Sequence, residues 1–366
     1  MTEKKKKAIF VFLFVFLFFL LPASAEKAPF SADEINRLIP GELEGKIDPF
    51  SSEVSAEIDF SSLLSCLRDE VLCGLPDVIP FFEILFAFLV CSAVLSALKE
   101  SLLSESLSSL LETVFSLALS LLIGGKLALL LGNCLGFLKK MTLFVSSLLP
   151  YLSLLSLSGG NAVTAAGDNA FLLFTLSAVQ NLCIGLLSPL IRVSLAFSLS
   201  DSISDNVNLA GIPRLFKKIY SFFLTTSTGL LSILLFFQHN LSLAADNAAA
   251  KSIKFAGSLI PVVGSSLGDA VRTVISSLSV IRTSLGIFGL LVILLLLLPC
   301  AVSLFLYKFA LSAACTLSGL FGMKREERTL SLFADIIDMM IASVIASSVI
   351  FIVSLALFVS STSAAV

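Results

Sequence analysis

Residues 285–306 read LGIFGLLVILLLLLPCAVSLFL, twenty-two positions without a charged side chain. At 1.5 Å per helical residue the stretch is about 33 Å long, close to the thickness of a bilayer's hydrocarbon layer. Its apolar residues follow one another without the alternation of a half-buried strand. In lipid the backbone amides have no water to bond, which leaves helices or closed barrels, and a continuous run selects the helix.

Comparable runs recur near residues 78–98, 113–138, 141–158, 170–199, 219–238, 285–310 and 335–359. Of the 366 residues, 57% are hydrophobic and 14% charged, whereas soluble domains are roughly 45–50% apolar. The mean hydropathy is +1.03. These features predict an all-α, polytopic helical membrane protein with about seven membrane segments, its solvent the lipid bilayer.

The chain opens with four lysines at positions 4–7, an apolar, Phe-rich stretch at 8–21 and the small residues Ala23-Ser24-Ala25. That order predicts a signal peptide over residues 1–25, cleaved after Ala25, with an uncleaved anchor as the second reading. Residues 26–77 would then form an acidic extracytoplasmic segment, with twelve acids against four bases. Residues 78–366 would form the transmembrane domain, with thirteen acids and sixteen bases. No basic patch with interleaved aromatics occurs, so no nucleic-acid partner is expected.

Basic clusters set the orientation. Arg214, Lys217 and Lys218 precede one run and Lys324, Arg325 and Arg328 another, so both loops are expected on the cytoplasmic side. Placing Lys139 and Lys140 there as well puts residues 26–77 inside, against the signal peptide. At least one run is therefore expected to be re-entrant or interfacial, or to span twice. The candidates are 113–138, interrupted by Gly124-Gly125-Lys126, and 141–158, interrupted by Pro150. Tyr151, Tyr220 and Tyr307 sit near ends or breaks of runs, where a headgroup-level anchor is expected.

Catalytic signals are sparse. The cysteines stand singly in apolar runs and read as small buried hydrophobes, and the spacing of Cys66 and Cys73 on a helix keeps them from pairing. The lone His239 lies beside Gln238 and Asn240 at a run's end and reads as a loop histidine. There is no phosphate-cradling loop. No enzymatic activity, cofactor or metal is expected. Asp335 and Asp338 share a face at the entrance to the last run, as a proton site or as the point where the helix leaves water.

The polar stripe Lys251, Lys254, Ser258, Ser265, Asp269, Arg272, Ser276, Ser279 and Thr283 recurs at three-to-four spacing. It would line one side of a helix interrupted near Pro261, Gly264 and Gly268, as a conduit or assembly face or as an amphipathic helix on the membrane surface. A weak internal echo accompanies it: Asp168-Asn169-Ala170 returns as Asp246-Asn247-Ala248, and Asn161 lies in a loop whose pattern recurs near Asp269. Broken helices in paired positions hold substrate in some transporters, so Asn161, Asp168, Asn169, Asp246 and Asn247 are candidate loop sites.

The stretch Lys251-Ser-Ile-Lys-Phe-Ala-Gly-Ser-Leu-Ile-Pro-Val-Val-Gly264, continuing through Gly268-Asp269-Ala270 to Gly286-Ile-Phe-Gly289, resembles the stage III sporulation protein AE family. Leu149-Pro150-Tyr151 and the signal followed by an acidic segment fit the same family, so the resemblance covers most of the chain. One loop departs from it: Leu317-Ser318-Gly319 and then residues 324–328 stand where Pro-Leu-Gly-Asp is expected. The resemblance implies a membrane subunit of the channel or secretion apparatus linking mother cell and forespore, needed for late forespore development. It implies a multi-pass location in the mother-cell-derived outer forespore membrane and a permease-like or export-channel role. The implied partners are the other membrane proteins of the sporulation complex, including a secretion-type ATPase; association with further copies of itself stays open. The alternatives are a free-standing secondary transporter and a purely structural scaffold.

Overall fold

The computed structural model describes the backbone of residues 60–102, 105–158, 162–203, 211–257 and 264–360. The expected signal peptide and most of the acidic segment lie outside the described residues. The described residues are helical throughout, apart from a turn at 321–323. Helices α1 (Phe60–Leu102), α2 (Glu105–Ser158) and α3 (Ala162–Gln180) come first. A π-helical segment (Asn181–Leu186) joins α3 to α4 (Leu187–Ile203), and α5 (Gly211–Gly257), α6 (Gly264–Leu320) and α7 (Lys324–Ser360) follow. Among the described residues, six stretches are long and apolar enough to cross a membrane, with α3 and α4 forming one of them.

The seven apolar runs rest on six long stretches because two of them are collinear. Runs 113–138 and 141–158 both lie in the 54-residue α2. Neither Gly124-Gly125 nor Pro150 ends that helix. Lipid offers the backbone no alternative partner, so a single lost amide bond at Pro150 does not unwind the chain. Lys126 is accommodated within α2 by resting over the Tyr307 ring, 4.9 Å from its centroid. Interruption does occur just before Pro189, which has no N–H to bond the Gly185 carbonyl, and there the helix widens into the π segment. The expected break at Gly268 is absent, since α6 runs through it from Gly264.

Helix α7 is the axis of the bundle and packs against α6, α5, α2 and α4. Half of its apolar window (50%) is buried, against 22% for α5 at the periphery. Ile336, Ile337, Met340, Phe351 and Leu355 face the core. On α5 the inward residues recur at helical spacing, with Tyr220, Leu224, Leu231, Leu235, His239, Ser242 and Asp246 all buried. The opposite face exposes Phe222, Ile233, Phe236, Phe237 and Leu241. An apolar outer face with polar groups turned inward is the pattern that lipid imposes.

The tyrosines differ from the expected interfacial anchors. Tyr220 and Tyr307 are buried in protein. Tyr220 shares a 2.5 Å hydrogen bond with Ser343, and Tyr307 donates to the Asp77 carbonyl at 3.2 Å. The departing loop at 317–328 is a tight helix-to-helix turn. Met323 N–H donates to the Ser318 carbonyl at 2.9 Å and Gly322 N–H to that of Gly319 at 3.1 Å. Gly322 has φ 73°. This is the Schellman arrangement, whose left-handed position favours glycine.

Candidate functional site

Helix α3 begins with amides that its own first turn cannot bond. Asp246, more than seventy residues later on α5, supplies the acceptor. Its carboxylate takes the Val163 N–H at 3.0 Å and the Thr164 N–H at 2.7 Å. A carboxylate there also meets the positive end of the helix dipole, which offsets part of the cost of burying it. One turn further along, Asp168 Oδ2 lies 2.8 Å from His239 Nδ1. The side chains of His239 and Asp168 are 5% and 7% exposed, so this is a buried ionisable pair.

Helical register builds the cluster. Thr164, Gly167, Asp168 and Phe171 share one face of α3, and Leu235, His239, Ser242 and Asp246 one face of α5. Gly167 allows the close approach: a Cβ there would stand 2.6 Å from Ser242 Oγ and 2.9 Å from Gln238 Nε2. Gln238 donates to Ser242 Oγ at 3.3 Å. A small cleft lies beside the pair, lined by Phe171, Gln238, Ser354 and Leu357 among others. Of the neighbouring hydroxyls, Ser354 donates to the Ile350 carbonyl at 2.7 Å, Ser242 accepts from Gln238, and Thr164 Oγ1 is buried without a hydrogen-bond partner.

A second ionic cluster lies 22 positions earlier on α5, about 33 Å along the helix. Lys217 Nζ lies 2.6 Å from both Asp335 Oδ1 and Asp338 Oδ2, and Lys308 also pairs with Asp338. Two cations and two anions balance, tying α5, α6 and α7 together. Between the clusters, residues 219–238 carry no charge.

Three expectations need correction. His239 is not a loop residue: it is helical, 4% exposed and paired. A lone histidine gave no local signal because its partner is 71 positions away. Asp335 and Asp338 do not simply mark exit to water, since lysines from two other helices hold them. Nor are all the cysteines of the apolar runs buried: Cys91 is exposed, while the buried Cys134 meets the half-buried Cys300 with sulfurs 3.9 Å apart.

Of the candidate loop sites, Asp168 and Asp246 come together, both in helices rather than loops. Asn169 and Asn247 sit beside them half-buried, and the Asn169 Oδ1 is buried without a hydrogen-bond partner. Asn161 lies outside the described residues, as does Ser258. The backbone at Lys251, Lys254, Ser265, Asp269, Arg272, Ser276, Ser279 and Thr283 is helical. Their side chains lie outside the described residues.

A family model described as stage III sporulation protein AE matches residues 49–362. The stage III sporulation protein AE of Bacillus subtilis (strain 168) is 28% identical over 191 residues, 50% of this chain and 47% of that protein. The chain therefore spans about half the length of the curated relative it matches. No solved structure matches.

Proposed function

The chain belongs to the stage III sporulation protein AE family, and from that premise we propose that it is a membrane subunit of the apparatus linking mother cell and forespore. Its role is that of a permease-like or export-channel component needed for late forespore development. It works in the mother-cell-derived outer forespore membrane beside the other membrane proteins of its complex, including a secretion-type ATPase. Its family is one of sporulation membrane proteins rather than a known enzyme family.

The observation that carries the subunit reading is the family match over residues 49–362, on a chain whose described residues hold six stretches long and apolar enough to cross a membrane. The gathering of Asp168 and Asp246 at the start of α3 favours the second reading, a free-standing secondary transporter with its site at a helix terminus.

Orientation follows from helix count. If α1, α2, the α3–α4 stretch, α5, α6 and α7 each cross once, both basic clusters fall on the cytoplasmic side. The residues before α1 then fall outside, in agreement with a signal peptide. With runs 113–138 and 141–158 in one helix, this reading accords with a cleaved signal, and Lys139 and Lys140 then lie within α2 rather than in a cytoplasmic loop.

The experiment replaces Asp168 by Asn, and Asp269 and Arg272 separately and together, during sporulation. Loss of late forespore gene expression with an intact complex supports passage through it. Loss of the complex supports a scaffold, and flux by the purified protein alone in liposomes supports the free-standing transporter.

A further inference from the structure

We propose that the exposed lysine pair of α2, Lys139 and Lys140, docks against α1 of a second copy of this chain, at Asp69 and Glu70. The proposal rests on the membrane placement of the bundle and not on the channel role. Tyr307 sets a common level for three helices. Its hydroxyl donates to the Asp77 carbonyl on α1 at 3.2 Å, and the Lys126 ammonium of α2 lies over its ring. The adjacent Lys308 shares Asp338 with Lys217, so this level is the Lys217 end of the uncharged part of α5. Along α2, Lys139 lies about 20 Å beyond Lys126. The uncharged part of α5 is about 30 Å long, which puts both lysines deep in the apolar layer, too far in for a lysine stem to snorkel to either headgroup region. Both are exposed, and among the described residues neither has an ion pair or hydrogen bond.

Charge on an outer face at that depth calls for a partner other than lipid. Helix α1 carries the complement. It runs opposite to α2, since Ser92 donates to Glu326 at 2.8 Å beside the α6–α7 turn, so the residues before Asp77 enter the same apolar layer. Arg68, Asp69 and Glu70 therefore stand about 10–14 Å in from the Tyr307 level. Arg68 and Asp69 are exposed and paired with each other, and with Glu70 the triplet has a net negative charge. Side chains lean toward the N-terminus of their own helix. The lysines of α2 thus lean toward the Tyr307 level and the acids of α1 away from it, which narrows their difference in depth. The α2 face also admits another helix closely. Gly136 and the exposed Gly132 lie one and two turns before the lysines, and a Cβ at either would meet nothing within 4 Å. Each subunit presents both halves of the contact, so the pairing repeats within a symmetric dimer or around a ring.

The test expresses two differently tagged full-length copies in one membrane, both otherwise cysteine-free. One carries Asp69→Cys and the other Lys139→Cys or Lys140→Cys, and copper phenanthroline oxidises neighbouring thiols. We expect a disulfide joining the two tags through at least one of the lysine positions, and none between Asp69→Cys and Leu241→Cys, which is exposed on the outer face of α5. Lys139→Glu with Lys140→Glu should lower co-purification of the two tags about tenfold, and adding Asp69→Lys and Glu70→Lys to the same chain should restore it. Absence of both disulfides, or an equal yield through position 241, overturns the proposal. So does ready reaction of Lys139→Cys with a membrane-impermeant maleimide, which would place that face in water. The cross-links decide the matter should the charge-reversed variants not fold. Failure of the membrane placement is read separately, as Lys218→Cys and Ala250→Cys reacting from one side.

Discussion

Asp168 and His239 illustrate how the cost of an isolated buried charge exceeds the gain from a paired one. Removing one member leaves the other uncompensated, at about 3–5 kcal/mol, whereas replacing both by apolar groups is often neutral. Asp168→Ala should therefore destabilise the protein by about 3 kcal/mol, and Asp168→Ala with His239→Leu should recover a large part of that. Reversible unfolding in mixed micelles measures both. Asp246→Ala removes a side-chain cap and should cost about 1–2 kcal/mol, detectable in the same assay. The two aspartates were legible in the sequence through the repeated Asp-Asn-Ala. Their geometry was not: the echo suggested twin loops, but one aspartate caps the helix that carries the other. His239 could not be found by proximity in sequence, although its spacing to Leu235, Ser242 and Asp246 marked the buried face of α5.

At the scale of elements, helices were legible wherever lipid-length apolar runs occurred, and their ends were less so. The break between runs 113–138 and 141–158 looked real because Lys139 and Lys140 suggest a loop. Continuous helix wins because it satisfies backbone amides that a loop would leave unbonded. Pro189, which carried no expectation, marks the one described widening of a helix. The α6–α7 turn depends on the left-handed Gly322, so Gly322→Ala should cost about 1–2 kcal/mol. Gly319→Ala, whose Cβ would meet Glu327 at an ordinary 3.5 Å, should cost clearly less. Comparing thermal unfolding of the two separates the backbone requirement from crowding. The Lys217–Asp335–Asp338–Lys308 cluster is partly exposed, so solvent screens it. Lys217→Met should cost only about 1 kcal/mol.

The molecule is a membrane bundle in which the charges of α5 gather at two levels and leave about 30 Å of that helix uncharged between them. Composition alone announced the class, because a chain so apolar has no soluble way to bury its surface. It left orientation unresolved, since parity depends on whether two runs are one helix, a fact of backbone geometry. The polar stripe from 251 to 283 is the part of the sequence reading whose side-chain surroundings stay outside the described residues, and its role is carried by the Asp269 and Arg272 substitutions above. The central claim is that α5 crosses the bilayer with the Lys217 cluster toward the cytoplasm and the His239 cluster toward the other face. Single cysteines at Lys218→Cys, Lys324→Cys, Val163→Cys and Ala250→Cys, in a cysteine-free background and membrane vesicles of known orientation, test it with a membrane-impermeant maleimide. Positions 218 and 324 should react only from the cytoplasmic side, and 163 and 250 only from the opposite side. Reaction of 218 and 250 from the same side would contradict the account.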